Sequence, residues 1–191
     1  MTNRSTAKRS RILIIAFVVA AASVIAAPVA ANAVYMLGGM NSASYRVKDP
    51  GYNSTWMTPI NAARTNWNNR CGPCNITWSD DAAARIVSVN KPTATWNGQY
   101  QPSFGTSFRI ELNQPKIAAT PPFSTSLRST TAHELGHSFS LGDYPDRGNT
   151  SVMSYNRDRM VVYAPTNLDL VARGIASGEI APVPTHALPA A

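Results

Sequence analysis

The chain has 191 residues, a formal net charge of +7, two Cys and three His. A composition that is 44% hydrophobic and 14% charged supplies one core and excludes a wholly disordered chain. Two Cys cannot build a disulfide-rich miniprotein or a four-Cys zinc module, and three His leave few ways to hold a transition metal.

Four of the seven net charges sit in Arg4, Lys8, Arg9 and Arg11, ahead of the apolar run from Ile12 to Ala27. Ala31-Asn32-Ala33 follows, with small residues where a signal peptidase needs them. This pattern predicts a secretory signal peptide over 1–33 and a secreted product. An uncleaved anchor is the alternative, but the run is shorter than the roughly 20 residues a spanning helix needs. The membrane is therefore expected to meet this chain only through the signal segment. The remaining charge is nearly balanced, and no basic stripe with interleaved aromatics argues for nucleic acid.

Tyr45-Arg46-Val47 reads as a first short strand. Pro59 is expected to open a helix through Ile60, Ala63 and Trp67. Cys71-Gly72-Pro73-Cys74 breaks it, and the β-rich runs 76–78 and 85–89 follow, with 94–96 as a further weak strand. Ser107 to Leu112 alternates as a half-exposed strand does. A helix is expected over about 125–141, with Ala132, Leu135 and Phe139 as its apolar stripe, and a last helix from Pro165. The tail 181–191 is Pro/Ala-rich. One domain over 34–180 is expected, of α+β class, with a small sheet backed by helices.

Cys71 and Cys74 match the thioredoxin spacing, but that motif opens a helix after a strand in a βαβ pattern. Here the pair follows a helix and no βαβ pattern is evident. A local disulfide bracing a loop is the better reading for a secreted chain. A thiol–disulfide oxidoreductase using these two Cys is retained as a rival function.

The informative segment is His133-Glu134-Leu135-Gly136-His137. Residues four apart on a helix lie about 40° from one another, so both imidazoles can reach one ion. Glu134, next to the first ligand, can lie beside the attacking water without binding the metal. A catalytic zinc takes a third protein ligand. His186 lies in the tail, so Asp143, Asp169 and Glu179 compete for the position.

Past His137 the chain reads Ser138-Phe139-Ser140-Leu141-Gly142-Asp143, and Ser151-Val152-Met153-Ser154-Tyr155 follows. Here the sequence resembles the metzincin clan of zinc endopeptidases, closest to snapalysin-type and matrixin-like secreted bacterial proteases. Their motif is HExxHxxGxxH or HExxHxxGxxD, followed by a Met-containing turn. Strong matches fall in 133–155. The resemblance implies zinc on His133, His137 and Asp143, Glu134 as general base and Met153 in the Met-turn. It also implies that Tyr155 can stabilise the oxyanion. It implies a small twisted mixed sheet with an antiparallel cleft-edge strand, an active-site helix and a C-terminal helix. The last strand before the active-site helix, Arg109, Ile110, Glu111, Leu112 and Asn113, is assigned the cleft edge, where it would pair with an extended substrate.

Asp169 fits a structural helix after the Met-turn and is the alternative third ligand, as in the Asp-zincins. Ser140 stands where the family has Gly, and Gly142 is the place where the turn is expected instead. The expected function is a secreted, monomeric zinc endopeptidase acting on protein or peptide substrates. The remaining alternative is a non-catalytic zinc-binding module.

Overall fold

A computed structural model of the chain describes residues 38–103 and 106–172. The signal segment 1–33, Glu179 and the tail 181–191 lie outside the described residues. Among those described, no helix is long and apolar enough to cross a membrane.

The elements are β1 (Ser44–Lys48), α1 (Ser54–Arg70), β2 (Asn75–Trp78), β3 (Ala84–Val89), β4 (Gly98–Ser103), β5 (Ser107–Asn113), α2 (Gln114–Ala118), α3 (Phe123–Ser138) and α4 (Asn167–Ala172). The five strands form one sheet in the order β2-β1-β3-β5-β4. Four run parallel, and β4 alone runs antiparallel, against β5. The result is a mixed α/β domain with an antiparallel edge strand, as expected. The identity of that edge strand was not as expected.

β5 is interior. It pairs with β3 from Arg85↔Arg109 to Val89↔Asn113, and with β4 from Gly98↔Leu112 to Ser103↔Ser107. Residues 109–113 therefore have no free backbone edge to offer a substrate, and the edge belongs to β4. The alternation in β5 reports exposure of one sheet face, where Lys91 and Arg109 flank the buried Glu111 at 2.6 and 3.0 Å.

α1 starts at Ser54, five residues before Pro59. Asn53 caps it, its side chain accepting from the Trp56 amide at 3.4 Å. Pro59 sits inside the helix and leaves the Thr55 carbonyl without its usual donor. Ile60, Ala63 and Trp67 recur at helical spacing and are fully buried. The Trp67 indole N–H donates to the Ala132 carbonyl at 2.8 Å, which fixes α1 against α3.

A βαβ unit, β1-α1-β2, does surround the Cys pair, contrary to the reading from sequence. Cys71 and Cys74 form a disulfide at the C-terminal end of α1, however, and both are buried. A redox motif is activated by exposure at a helix N-terminus. This pair has neither feature and braces the turn into β2.

Candidate metal centre

α3 carries the motif. It is buried from Ser129 to Ser138, so both its faces are covered, beyond the single apolar stripe. Gly136 is required inside the helix because the Met153 sulfur occupies the space its Cβ would fill. The Met-turn is thereby keyed into the helix directly between the two His.

The turn out of α3 is made by Ser140 itself, at φ 64°, and not by Gly142. The Ser140 amide donates to the His137 carbonyl at 2.9 Å, and the Leu141 amide to the Gly136 carbonyl at 3.3 Å. These are the paired bonds of a Schellman cap with a left-handed residue between them. A non-Gly residue there costs roughly 1–2 kcal/mol. Gly39 accommodates it, because a Cβ on Gly39 would collide with the Ser140 side chain and backbone. The cap turns the Leu141 carbonyl back on His137 and sends Asp143 under the His pair.

The His133 Nδ1 contacts the Val152 carbonyl at 2.9 Å, and the His137 Nδ1 contacts the Leu141 carbonyl at 2.7 Å. A carbonyl only accepts, so each Nδ1 carries the proton and each Nε2 presents a lone pair. The two rings stand 4.8 Å apart and nearly perpendicular. Asp143 Oδ1 lies 3.0 Å from the His133 Nε2 and 3.6 Å from the His137 Nε2. It is buried without a hydrogen-bond partner.

Three lone-pair atoms thus face one another within 4.8 Å. A tetrahedral zinc with bonds of 2.0–2.1 Å has ligand–ligand edges of about 3.3 Å. The two Asp143 distances bracket that value, and the orphaned oxygen is what a cation would satisfy. His133, His137 and Asp143 therefore fit a metal centre. Tyr155 donates from Oη to the other Asp143 oxygen at 2.7 Å.

Asp169 is not part of this group. It is fully buried on α4 and accepts from the Ser151 hydroxyl, from the Val152 amide at 3.0 Å, and from the Thr166 amide and hydroxyl at 2.7 and 2.9 Å. Its oxygens are committed to holding the Met-turn.

Burial pushes His133 down to about 4, with the Arg157 charge adding to the effect. Burial also lowers His137. Burial opposes ionisation of Asp143, but His133, His137 and Tyr155 together hold it below the usual carboxylate range. Glu134 is buried and pushed up to about 8 by desolvation and by the Asp143 charge, against the pull of Arg157, Arg159 and the Tyr100 amide. The Asp143 hydrogen bond and charge raise Tyr155 to about 12.

Two features of the centre carry no signal in the sequence. Arg157 is buried under α3, where it donates to the Ser154 carbonyl at 2.6 Å and to Ser129 Oγ at 3.2 Å, and stands 3.1 Å from the His133 Nδ1. Gly98 brings the start of β4 against Glu134, since a Cβ there would lie 2.5 Å from Glu134 Oε1.

No family model matches the sequence, and no curated protein is significantly similar to it. Among solved structures, a chain of the GM1-bound form of the ECX AB5 holotoxin is similar at TM-score 0.53 and 13% identity, over 68% of this chain and 78% of that one. This likeness is one of fold. Archaemetzincin from Methanopyrus kandleri is similar at TM-score 0.45 and 12% identity, over 71% of this chain and 97% of that one.

Proposed function

We propose that the chain is an exported zinc-dependent endopeptidase that cleaves peptide bonds with Glu134 as general base. The observation that carries this reading is the convergence of His133 Nε2, His137 Nε2 and Asp143 Oδ1, with Glu134 next along the same helix. Zinc held there supplies a Lewis acid that polarises a peptide carbonyl and acidifies a water molecule.

The chain's own residues do the rest. The Val152 and Leu141 carbonyls fix the tautomer and orientation of both imidazoles. Glu134 takes the proton of the attacking water on its carboxylate and delivers it to the leaving nitrogen. Burial raises Glu134 most and the Asp143 charge adds to it; a cation held by Asp143 would offset the second of these and favour the carboxylate form of Glu134. Tyr155 is exposed at the rim and spends its single hydroxyl proton on Asp143; in this reading it would release that bond to donate to the oxyanion. Among the described residues no strand pairs with the outer side of β4, and in this reading that edge takes the extended substrate.

The buried disulfide counts against the oxidoreductase reading. The test is casein hydrolysis by the purified chain, with and without a chelator and with zinc added back. Activity that is lost and restored in step with zinc is expected, and chelator-resistant hydrolysis overturns the reading.

A further inference from the structure

Ahead of β1, residues 38–40 lie between β4 and the C-terminal end of α3 and are held on both sides. On the β4 side, the Tyr100 hydroxyl donates to the Gly38 carbonyl at 3.1 Å. Gly38 stands at φ 99°, and a Cβ there would lie 2.5 Å from the Pro102 Cβ. On the α3 side, the Met40 amide donates to the carbonyl of Ser138, the last residue of the helix, at 2.7 Å. A Cβ on Gly39 would lie 2.5 Å from the Ser140 amide nitrogen and 2.9 Å from its Cα. Gly39, Met40 and Ser140 are all buried. Two successive glycines thus pass the backbone through a gap that admits no side chain.

Both walls of that gap belong to the metal centre. The Ser140 turn aims the Leu141 carbonyl at the His137 Nδ1, 2.7 Å away, and leads into Asp143. Ser140 is left-handed at φ 64°, a conformation that needs support from outside the turn, and Gly39 packs directly on it. The other wall, β4, sets the Tyr100 ring 5.9 Å from the His137 ring and Gly98 against Glu134.

We infer that residues 38–40 form a strap that positions the metal centre, with Gly39 as its positioning residue. By closing on the Ser140 turn and on β4 together, the strap holds the His137 ring and Asp143 in place for one ion. The inference rests on the zinc reading above and not on peptide hydrolysis.

The test is a zinc titration of the metal-depleted full chain as wild type, Gly39→Ala, Tyr100→Phe and Ile76→Val, each well below its own Tm. Gly39→Ala pushes the Ser140 turn away and is expected to weaken zinc binding about 10–100-fold, the range for losing a group that orients a ligand. Adding Ser140→Gly removes one of the obstructing groups and restores part of the loss. Tyr100→Phe keeps the ring beside His137 and removes only its hydrogen bond to the strap, for a loss of about three- to tenfold. Ile76→Val trims a fully buried side chain of β2, so it lowers Tm and leaves zinc affinity unchanged. Wild-type affinity in both Gly39→Ala and Tyr100→Phe, or an equal loss in Ile76→Val, overturns the inference. Should Gly39→Ala fail to fold, Tyr100→Phe against Ile76→Val decides alone. The expected pattern of zinc binding without casein hydrolysis refutes the peptidase reading and leaves the inference standing, and a wild-type chain that binds no zinc overturns both.

Discussion

Asp169 accepts the Val152 amide hydrogen at 3.0 Å, and the carbonyl of that same Val152 accepts from the His133 Nδ1 at 2.9 Å. A buried carboxylate on α4 thus sets the position of a ligand it never touches. Asp169→Ala strands the Ser151 hydroxyl and the Val152 and Thr166 amides in the interior. It is expected to destabilise the chain by about 3 kcal/mol or more and to weaken zinc binding by about 10–100-fold. Asp143→Ala is expected to abolish tight zinc binding while the metal-free chain keeps its stability to within about 1 kcal/mol. Thermal melts and zinc titrations of both variants separate the two roles.

Ser140 adopts φ 64° with its hydroxyl buried and unpartnered. Ser140→Gly removes the left-handed strain and the unsatisfied hydroxyl, at the cost of greater freedom in the unfolded chain. A net gain of up to about 1 kcal/mol is expected, read as a higher Tm with zinc affinity retained.

Gly98→Ala places a methyl group 2.5 Å from Glu134 Oε1. Thr130 Cγ2 at 2.7 Å and Glu134 Cγ at 2.8 Å stand in its way as well, so both side chains on α3 must shift and Glu134 is displaced. Hydrolysis is expected to fall by about 10–100-fold with zinc content unchanged, since a shift of about 1 Å at the reacting groups costs that much. Metal analysis beside a casein assay checks it.

In the metal-free chain His133 and Glu134 should pull stability in opposite directions as pH falls, and the His133 part can be isolated. Burial depresses His133 to about 4 in the fold, against 6.5 for the free side chain. The folded state therefore favours the neutral ring. This contribution is fully present above pH 6.5 and is lost as pH falls from there through about 4. The full shift is worth ~3 kcal/mol. Chemical denaturation of the chelated wild type and of His133→Asn should show the stability difference between them shrinking as pH falls across this window.

The centre was more legible in the sequence than the frame around it. His133, Glu134 and His137 show themselves because helical spacing turns a five-residue pattern into shared geometry. Asp143 and Met153 came from the resemblance to the metzincin motif, since spacing alone left Asp143, Asp169 and Glu179 competing. The edge of the sheet did not. Side-chain alternation in β5 reports which sheet face is wet, whereas the edge is decided by strand order, and β4 was placed outside β5 by pairing that no local pattern encodes. Pro59 marked a helix but not its start, because the Asn53 cap lies upstream and the helix tolerates one missing bond. Ser140 hid a left-handed turn behind a residue that seldom adopts one, supported by Gly39 about a hundred positions away. Arg157 reaches His133 only once the Met-turn is folded.

The account stands on one ion held by His133, His137 and Asp143, with Glu134 outside that set. A zinc titration of the metal-depleted wild-type chain, Glu134→Gln and Asp143→Ala tests this most directly. One tight equivalent is predicted for wild type and for Glu134→Gln, and none for Asp143→Ala. Tight binding that survives in Asp143→Ala, or disappears in Glu134→Gln, would contradict it.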